Sequence, residues 1–566
     1  MSILDWAILI ATLTFIIGYG YWKTRGRQDM DSYLRGGGDV KWWAVGLSVM
    51  ATQASAITFM STPGQAFHDG LGFVQFYFGL PLAMIVIAIT FIPIFHKLKV
   101  YTAYEYLEQR FDYKTRGLTA LLFLIQRGMA AGITIYAPAI ILSTILGWDL
   151  HLLNILLGGL VIIYTVAGGT DAVNVTQKQQ MFVIMGGMFF TFWYIITLFP
   201  EGISFVDAME ISAAGDKMKI IDYSLDPSSR YTIWSGLTGG FFLALAYFGT
   251  DQSQVQRYLS GKSVRISTLG LMFNAILKIP MQFLILLTGV LVFVFYQFNS
   301  SPVFFNQSVL NKLNNTEAKA EIMLLQAKKD SITLQKSAIL KEIYSENLPL
   351  ENGDEKKLQI KELMQEEKAI MSATKEIIST SNPDAETNDK DYVFISFILE
   401  HLPQGLIGLL LAVIFCAAMS STAAELNALA ATTTVDFYKR KWADNRQEDH
   451  YVKSTKVFTL IWGLIAIAFA SIGTLFENLI QLVNIVGSVF YGTILGIFLT
   501  GFYFKRVGGN AVFTGAVIAE AIVLFTFFFT ETGYLWLNLI GCVCVILFSS
   551  IIQMMRPFGI KTRSAD

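Results

Sequence analysis

The chain has 566 residues, of which 54% are hydrophobic and only 15% are charged, and its mean hydropathy is +0.51. This composition excludes an ordinary soluble globular protein and indicates a polytopic membrane protein. The formal net charge of −1 offers no excess of positive charge for a nucleic acid. The three cysteines, Cys416, Cys542 and Cys544, all lie in apolar segments, which argues against disulfides and zinc sites.

Apolar runs of about 20 residues predict thirteen membrane-spanning helices. The runs are 3–22, 42–67, 71–95, 116–146, 149–167, 174–199, 231–256, 266–298, 405–436, 454–475, 479–503, 509–530 and 533–554. Lys and Arg follow the first, third, seventh, ninth, eleventh and last runs, so thirteen spans place all six basic segments on one side. We expect that side to be the cytoplasm, with the N-terminus outside and the C-terminus inside a cell (inner or plasma) membrane.

The polar residues are concentrated in one insert, because 28 of the 85 charged side chains lie between residues 301 and 391. Within it, residues 318–347 and 354–379 are rich in Lys, Glu, Leu and Ala, and residues 348–353 are typical of a turn. The sequence therefore predicts an extracytoplasmic helical hairpin over 299–391. We expect it to rest on the outer face, where it could also receive a protein partner.

Two apolar runs are interrupted by small and polar residues. Residues 51–58 read Ala-Thr-Gln-Ala-Ser-Ala-Ile-Thr, and Gly249 is followed by Thr-Asp-Gln-Ser-Gln. Such segments are unsuited to face lipid and suit helices that unwind beside a cavity. The two interruptions are five spans apart, which favours a repeat of five plus five helices, inverted by the odd number of spans.

A third polar feature is the pair Ser420 and Ser421 inside the ninth run. Each hydroxyl can bond back to a carbonyl of its own helix, and small residues also allow close helix packing. On these residues alone, packing is the simpler interpretation. The pairing with residues 51–58 favours a cation site, because freed carbonyls on one helix would meet hydroxyls on another.

Five motifs occur in order along the chain. They are 42–46 (Trp-Trp-Ala-Val-Gly), Gly168-Gly169, 255–259 (Val-Gln-Arg-Tyr-Leu), Ala417-x-x-Ser420-Ser421 and Asp436-x-Tyr438. With this series the chain resembles the sodium/solute symporter family, which includes sodium–sugar, proline, sialate and pantothenate carriers. The resemblance runs from about residue 3 to 555, interrupted by the insert. It implies an all-α fold with a LeuT-type 5+5 inverted-repeat core and extra helices outside it.

The resemblance divides the chain into six segments. These are an extra N-terminal helix (1–30), the first repeat with core helices 1–5 (31–230), core helices 6–7 (231–298), the insert (299–391), core helices 8–10 (392–506), and extra C-terminal helices with a short cytoplasmic tail (507–566).

The resemblance also implies a site for a co-transported sodium ion. Its ligands would be the backbone carbonyls of Ala51, Ala54 and Ala417 and the hydroxyls of Ser420 and Ser421. Many members carry a carboxylate where this chain has Gln177. The missing carboxylate argues against a second sodium site.

Candidate substrate-binding residues follow from the resemblance and from polar side chains in apolar runs. They are Gln53, Thr58, Tyr77, Tyr247, Asp251, Lys278 and Asn484. The galactose pattern of bacterial relatives is poorly kept, since Thr58, Tyr77 and Ala244 replace a Gln, a Glu and an Asn. Lys278 needs a partner or a polar cavity at membrane depth. Asp251 could pair with a substrate cation, a sodium ion or a lysine.

These patterns favour a secondary active symporter that uses sodium to import a small organic solute by alternating access. A sugar, a polyol, a sugar acid and a carboxylate all stay open as substrates. The alternatives are proton coupling, with Asp251 as the titrating group, and a transporter-like sensor or receptor. No catalytic triad, phosphate-binding loop or nucleophile motif is present, so we do not expect an enzyme. The expected partners are the solute, sodium and the lipid bilayer, and no nucleic acid.

Overall fold

The structure is a computed structural model that describes residues 2–24, 40–313, 317–345, 353–383, 385–443, 446–472 and 478–555. It is helical throughout, and within these residues no β-strand forms beyond an isolated bridge between Val40 and Gly261. The first half contains α1 (Ile3–Thr24), α2 (Trp42–Gln53), α3 (Ala56–Asp69), α4 (Leu80–Val86), α5 (Ile92–Leu98), α6 (Glu105–Arg110), α7 (Tyr113–Leu146), α8 (Leu150–Thr197), α9 (Phe205–Ala214), α10 (Gly240–Thr250), α11 (Gln252–Leu259) and α12 (Val264–Phe298).

The second half begins with the insert and returns to long apolar helices. It contains α13 (Gln307–Lys312), α14 (Glu317–Ser345), α15 (Gly353–Ser381), α16 (Lys390–His401), α17 (Leu406–Thr432), α18 (Glu448–Ile472), α19 (Leu479–Tyr503), α20 (Gly509–Phe529) and α21 (Tyr534–Met555). A π-helical turn at Thr433–Tyr438 extends α17 to Lys441.

Nine helical segments in the described residues are long and apolar enough to cross a membrane, and two shorter apolar helices, Ile3–Ile16 and Leu150–Val166, accompany them. Thirteen spans therefore stay a prediction. The difference arises partly because Ala56–Leu98 counts as one segment where the two runs 42–67 and 71–95 were predicted. Helix α8 comprises two helices that correspond to the predicted runs 149–167 and 174–199. It turns sharply at Gly169, whose φ of +58° lies in the region that glycine adopts most readily.

Both predicted interruptions are present. The second run is divided into α2 and α3 between Gln53 and Ala56, and the seventh is divided into α10 and α11 at Asp251. In each case the chain leaves the helical conformation for one or two residues and then resumes it. This geometry confirms the LeuT-type interpretation of the two small and polar segments.

Helix α17 lies at the centre of the bundle. It packs against α7, α8 and α1, while α2 and α3 pack against α12, and α10 packs against α19. In its most apolar window 89% of α17 is buried by protein, compared with 28% for α18. The small residues of α17 therefore face neighbouring helices rather than lipid, which lets those helices approach closely.

The insert forms two long antiparallel helices, α14 and α15. Ion pairs join Lys328 to Glu366 at 2.9 Å and Lys356 near the start of α15 to Glu342 near the end of α14. Buried apolar residues of the two helices, among them Ile332 and Ile370, form a separate small core. The predicted turn at 348–353 lies outside the described residues except for Gly353.

Different parts of the chain meet at the two ends of the bundle. Near one end, Arg440 at the end of the α17 segment pairs with Glu108 in α6, and at the other end the insert contacts residues of α3. The basic residues that followed the third and ninth runs in the sequence thus share one end. Several others lie outside the described residues: Arg25, Arg27, Arg35, Arg556, Lys561 and Arg563.

Candidate functional site: a cavity beside two interrupted helices

The interruption between α2 and α3 changes the hydrogen bonding of two carbonyls. In a continuous helix the amides of Ser55 and Thr58 would bond to the carbonyls of Ala51 and Ala54. Here Ser55 N–H donates to Gln53 at 3.1 Å, and Thr58 N–H donates to Ser55 at 3.0 Å. The carbonyls of Ala51 and Ala54 therefore lose these amide partners at a buried position.

Helix α17, which carries the hydroxyls of Ser420 and Ser421, packs against both α2 and α3. Ser421 Oγ donates to the carbonyls of Ala417 at 2.9 Å and Ala418 at 3.3 Å. Ser420 Oγ is buried and has no hydrogen-bond partner among the described residues. An unsatisfied hydroxyl at membrane depth is costly unless a ligand completes its bonding.

This group of oxygens suits a hard monovalent cation. Carbonyls and hydroxyls supply oxygen ligands without requiring a net negative charge. Among the described residues no cluster of three or more His, Cys, Asp or Glu side chains could hold a metal ion. The chemistry therefore favours sodium as a transported ion over a resident transition metal.

The position of the missing carboxylate is filled by an uncharged network. Gln177 is fully buried, its Nε2 donates to Thr52 Oγ1 at 3.0 Å, and its Oε1 accepts from Ser48. Asn174 joins this network and accepts from the buried guanidinium of Arg257 at 2.9 Å. A positive charge beside neutral amides disfavours a second cation at this place.

A cavity of about 90 Å³ lies between the two interrupted helices. It brings together six of the seven predicted substrate-binding residues. They are Gln53, Thr58, Tyr77, Tyr247, Lys278 and Asn484. Ser421 also lines the cavity, so the proposed sodium ligands and the proposed solute site adjoin each other. Polar side chains such as Gln53 and Lys278 line the cavity together with apolar side chains such as Phe76 and Leu243.

Asp251 does not line the cavity and lies in a cluster directly behind its wall. It caps α11 by accepting from the amide of Ser253 at 2.9 Å and from its hydroxyl at 2.6 Å. Its other oxygen accepts from Arg127 and, at 2.8 Å, from the hydroxyl of Tyr491. Every lone pair that a solute would need is therefore already in use.

Sequence reasoning missed Arg127, Glu425 and Tyr491, all of which line the cavity. Arg127 forms ion pairs with Asp251 and, at 3.0 Å, with Glu425. The signal was available, since Arg127 and Glu425 are ionisable residues inside apolar runs, and such residues mark functional or paired positions. Glu425 also lies four residues after Ser421, on the same face of α17.

At the end of the bundle that carries the insert, α3 contacts α16. Asp391 accepts from the hydroxyl of Ser61, one turn from Thr58, and from the amide of Leu479 at 3.0 Å. The backbones of α3 and α16 meet at Gly64, where a Cβ atom would overlap the carbonyl of Lys390. Burial raises the pKa of Asp391 to about 6, against these two hydrogen bonds.

A second group of charges lies at the other end of the bundle. Glu108 binds Arg116 at 2.7 Å and Arg440 at 2.8 Å, and Arg116 also contacts Asp436 at 2.7 Å. Burial alone would raise the pKa of Glu108, but the hydrogen bonds and charges of the two arginines lower it. These contacts join α6, α7 and the end of the α17 segment below the cavity.

Comparison with known proteins agrees with this geometry. The sequence profile of the sodium:solute symporter family matches residues 33–329 and 370–519, which leaves the centre of the insert outside the match. The chain is 25% identical over 559 residues to the sodium/sialic acid symporter SiaT of Proteus mirabilis (strain HI4320), covering 97% of this chain and 94% of that protein. It is 25% identical over 586 residues to the sodium/glucose cotransporter of Vibrio parahaemolyticus, covering 100% and 94%.

The fold is also shared with a solved structure. A sodium-coupled sialic acid symporter in a substrate-bound outward-open state superposes with a TM-score of 0.75, at 23% identity and with 98% of each chain covered. The profile match extends over most of the sequence and includes both interrupted helices and the Ser420–Ser421 pair. This chain therefore belongs to the sodium:solute symporter family.

Proposed function

We propose that the protein is a sodium-coupled symporter that imports a small organic solute by alternating access. One observation carries this proposal. The carbonyls of Ala51 and Ala54 are released from helical bonding at the interruption between α2 and α3, two helices against which α17 packs, and α17 carries the buried, unsatisfied hydroxyl of Ser420. This set of oxygens adjoins a cavity of solute size, so ion and solute would bind side by side.

Coupling would follow from differential affinity. Sodium bound by Ala51, Ala54, Ala417, Ser420 and Ser421 would stabilise the outward-open arrangement, in which α3 and α16 separate at Gly64. Solute would then enter between the interrupted helices, and the core would rock to expose the cavity to the cytoplasm. Each ligand shifts the equilibrium only by its preference for one of the two states.

One sodium ion per transport cycle is the stoichiometry that the site favours. The neutral amide of Gln177 bonds with Thr52 and Ser48, and Arg257 adds a buried positive charge to the same network. A second cation at this place would have to displace three hydrogen bonds and approach a guanidinium. Neither step has a compensating carboxylate.

Proton coupling is the second candidate, and the structure moves it from Asp251 to another acid. Asp251 accepts from Arg127, Tyr491 and Ser253. Glu425 Oε2, by contrast, is buried and has no hydrogen-bond partner among the described residues. If protons drive uptake, we expect Glu425 to carry them.

The expected setting is a cell membrane with the N-terminus outside. Two observations support it: the insert and the Glu108–Arg440 pair lie at opposite ends of the bundle, and the basic residues after the third and ninth runs share the end opposite the insert. Because basic residues prefer the cytoplasm, the insert would face the exterior.

The test is thermal unfolding of the purified protein in detergent, with sodium titrated against choline at constant ionic strength. A ligand of the folded state stabilises it by RT ln(1 + [L]/Kd), about 2.7 kcal/mol at one hundred times Kd. We expect a sodium-specific rise in melting temperature that Ser421→Ala removes. Ser471→Ala is the matched control, because Ser471 Oγ bonds back to Ile467 at 2.9 Å on α18.

Two results would speak against the proposal. A sodium shift that persists in Ser421→Ala would place the ion elsewhere. No shift in the wild type, together with uptake driven by a pH gradient and abolished in Glu425→Gln, would favour proton coupling instead.

A further inference from the structure

Charged side chains line the central cavity: Arg127 and Glu425 pair with each other, and Lys278 pairs with neither. Arg127 bridges Glu425 and Asp251 through its Nη1 and Nη2, while its Nε has no hydrogen-bond partner among the described residues. Lys278 lies on the opposing helix α12 with 1% of its surface exposed. In the described part of the chain no carboxylate and no hydrogen-bond acceptor pairs with its Nζ.

Among the described residues, the polar end of Lys278 contacts an aromatic ring. Its Nζ lies 5.7 Å from the centre of the Tyr77 ring, at the outer limit of a cation–π interaction. Such a contact does not replace the hydration that an ammonium loses at membrane depth. Since Lys278 lines the cavity, the missing partner has to arrive from within it.

The charges around the cavity can be counted. The cluster of Arg127, Asp251 and Glu425 has a net charge of −1, and Lys278 adds +1. Glu425 lies one helical turn from Ser421, so a sodium ion at the proposed site would compensate the negative cluster at short range. Lys278 is then the one cavity-lining charge in the described residues that neither protein nor sodium balances.

From this arrangement we propose that the solute is a small monoanion, a monocarboxylate, whose carboxylate binds the ammonium of Lys278. This inference rests on the proposed sodium-coupled function and names the substrate class of the same site. The cavity of about 90 Å³ holds roughly six water molecules at about 15 Å³ each, which fits a solute of a few carbon atoms. Its walls include Phe76, Tyr247 and Phe248, which suit the apolar part of such an acid.

The proposal excludes Arg127 as the receptor for the solute. Arginine is the usual partner of a carboxylate, since its planar group binds both oxygens at once. Here the two terminal nitrogens already bind Glu425 and Asp251, which leaves only Nε and no pair of nitrogens for two-point binding of a solute carboxylate. The ammonium of a lysine is a compact point charge. A solute bound by Lys278 is therefore recognised by its negative charge more than by the planar shape of its carboxylate.

The experiment compares acids with their neutral amides. Purified wild-type protein in saturating sodium is heated with propionate or lactate, and in parallel with propionamide or lactamide, which have the same shape without the charge. We expect the acids to raise the melting temperature in sodium and not in choline, and the amides to have no effect. An amide that stabilises as well as its acid, or no shift with either acid, overturns the proposal.

Substitution of Lys278 tests whether its ammonium is the charge that binds the acid. We expect Lys278→Met to weaken acid binding at least tenfold, while Lys278→Arg keeps most of it. Lys453→Met is the matched control, because it removes a lysine charge from an exposed pair with Asp449. Undiminished acid binding in Lys278→Met overturns the assignment.

The two proposals fail in different ways. Sodium alone should stabilise both the wild type and Lys278→Met, because Lys278 is not a sodium ligand. A sodium shift without an acid shift refutes the monoanion and leaves the sodium site intact. The loss of the sodium shift itself refutes the proposed function.

Discussion

The two interrupted helices solve the same structural problem in opposite ways. At the first interruption, between Gln53 and Ala56, the groups released from helical bonding are the buried, uncharged carbonyls of Ala51 and Ala54. At the second, Asp251 replaces the missing helical bonds with its own side chain and is neutralised by Arg127. The first interruption is left unsatisfied by protein atoms, and the second is satisfied by them.

The first interruption therefore offers groups that can bind a ligand, whereas the groups at the second stabilise the fold. A segment whose polar groups are already paired gains little from a ligand, whereas unsatisfied oxygens gain much. We therefore expect substitutions at the first interruption to change ligand affinity and those at the second to change stability. The following predictions test this division, beginning with the largest effect.

Arg127→Met should be the most damaging substitution. It would leave Asp251 and Glu425 as buried carboxylates without a counter-charge, and removing one partner of a buried pair typically costs about 3–5 kcal/mol. We expect a large fall in melting temperature and in folded yield. Arg127→Lys keeps the charge and should recover part of the loss, and a wild-type melting temperature in Arg127→Met would break the comparison.

Gly64→Ala should force α3 and α16 apart at the end of the bundle that carries the insert. Its new Cβ would overlap the backbone of Lys390, so α3 and α16 have to separate, at a stability cost of about 1–3 kcal/mol. We expect uptake into proteoliposomes to fall at least tenfold while sodium still raises the melting temperature. Gly186→Ala is the control, since its Cβ would enter open space, and equal uptake by both variants would contradict the contact between α3 and α16.

Ser420→Ala should lower sodium affinity and leave stability nearly unchanged, which is the opposite of the effect expected for Arg127→Met. Because Ser420 Oγ has no partner among the described residues, its removal should change stability without sodium by less than about 1 kcal/mol. The sodium concentration for half-maximal stabilisation should rise at least tenfold. Unchanged sodium affinity would remove Ser420 from the ligand set.

Glu386→Gln should give the smallest effect, seen only as a change of pH dependence. Burial, and then the charge of Asp391, raise the pKa of Glu386 from 4.5 to about 8. The folded state therefore binds a proton that the unfolded state releases, so this stabilisation is complete below about pH 4.5 and is lost as pH rises through about 8.

The measurement is the melting temperature between about pH 5 and pH 9. The wild-type value should fall as pH rises, and the slope should be shallower in Glu386→Gln. Asp391, with its pKa of about 6, contributes in the same direction and should keep part of the slope. A slope identical in both proteins would contradict the raised pKa of Glu386.

Much of the fold follows from residue order. The interruptions at residues 51–58 and 249–254 were predictable because small and polar residues inside an apolar run cannot face lipid. The insert helices follow from local propensity, since long stretches without Gly or Pro favour a helix. The number of spans was harder to predict, because the helical segment Ala56–Leu98 joins parts of the two runs 42–67 and 71–95.

From the sequence, a shared role could be predicted only for site residues that lie close together in the chain. Ser420 and Ser421 are adjacent in sequence, so their shared role can be inferred from one segment. The partner of Asp251 cannot, because Arg127 is 124 residues away and only the packing of α7 brings it near. The same holds for Lys278, whose isolation depends on which acids the fold uses elsewhere.

The most direct test of the sodium site is equilibrium binding of radioactive sodium to the purified protein. We expect the wild type to bind about one sodium ion per chain, displaced by unlabelled sodium and not by choline. The double variant Ser420→Ala with Ser421→Ala should lose this binding while it keeps its fold. Full binding by the double variant, or two ions per wild-type chain, would contradict a single site at the first interruption.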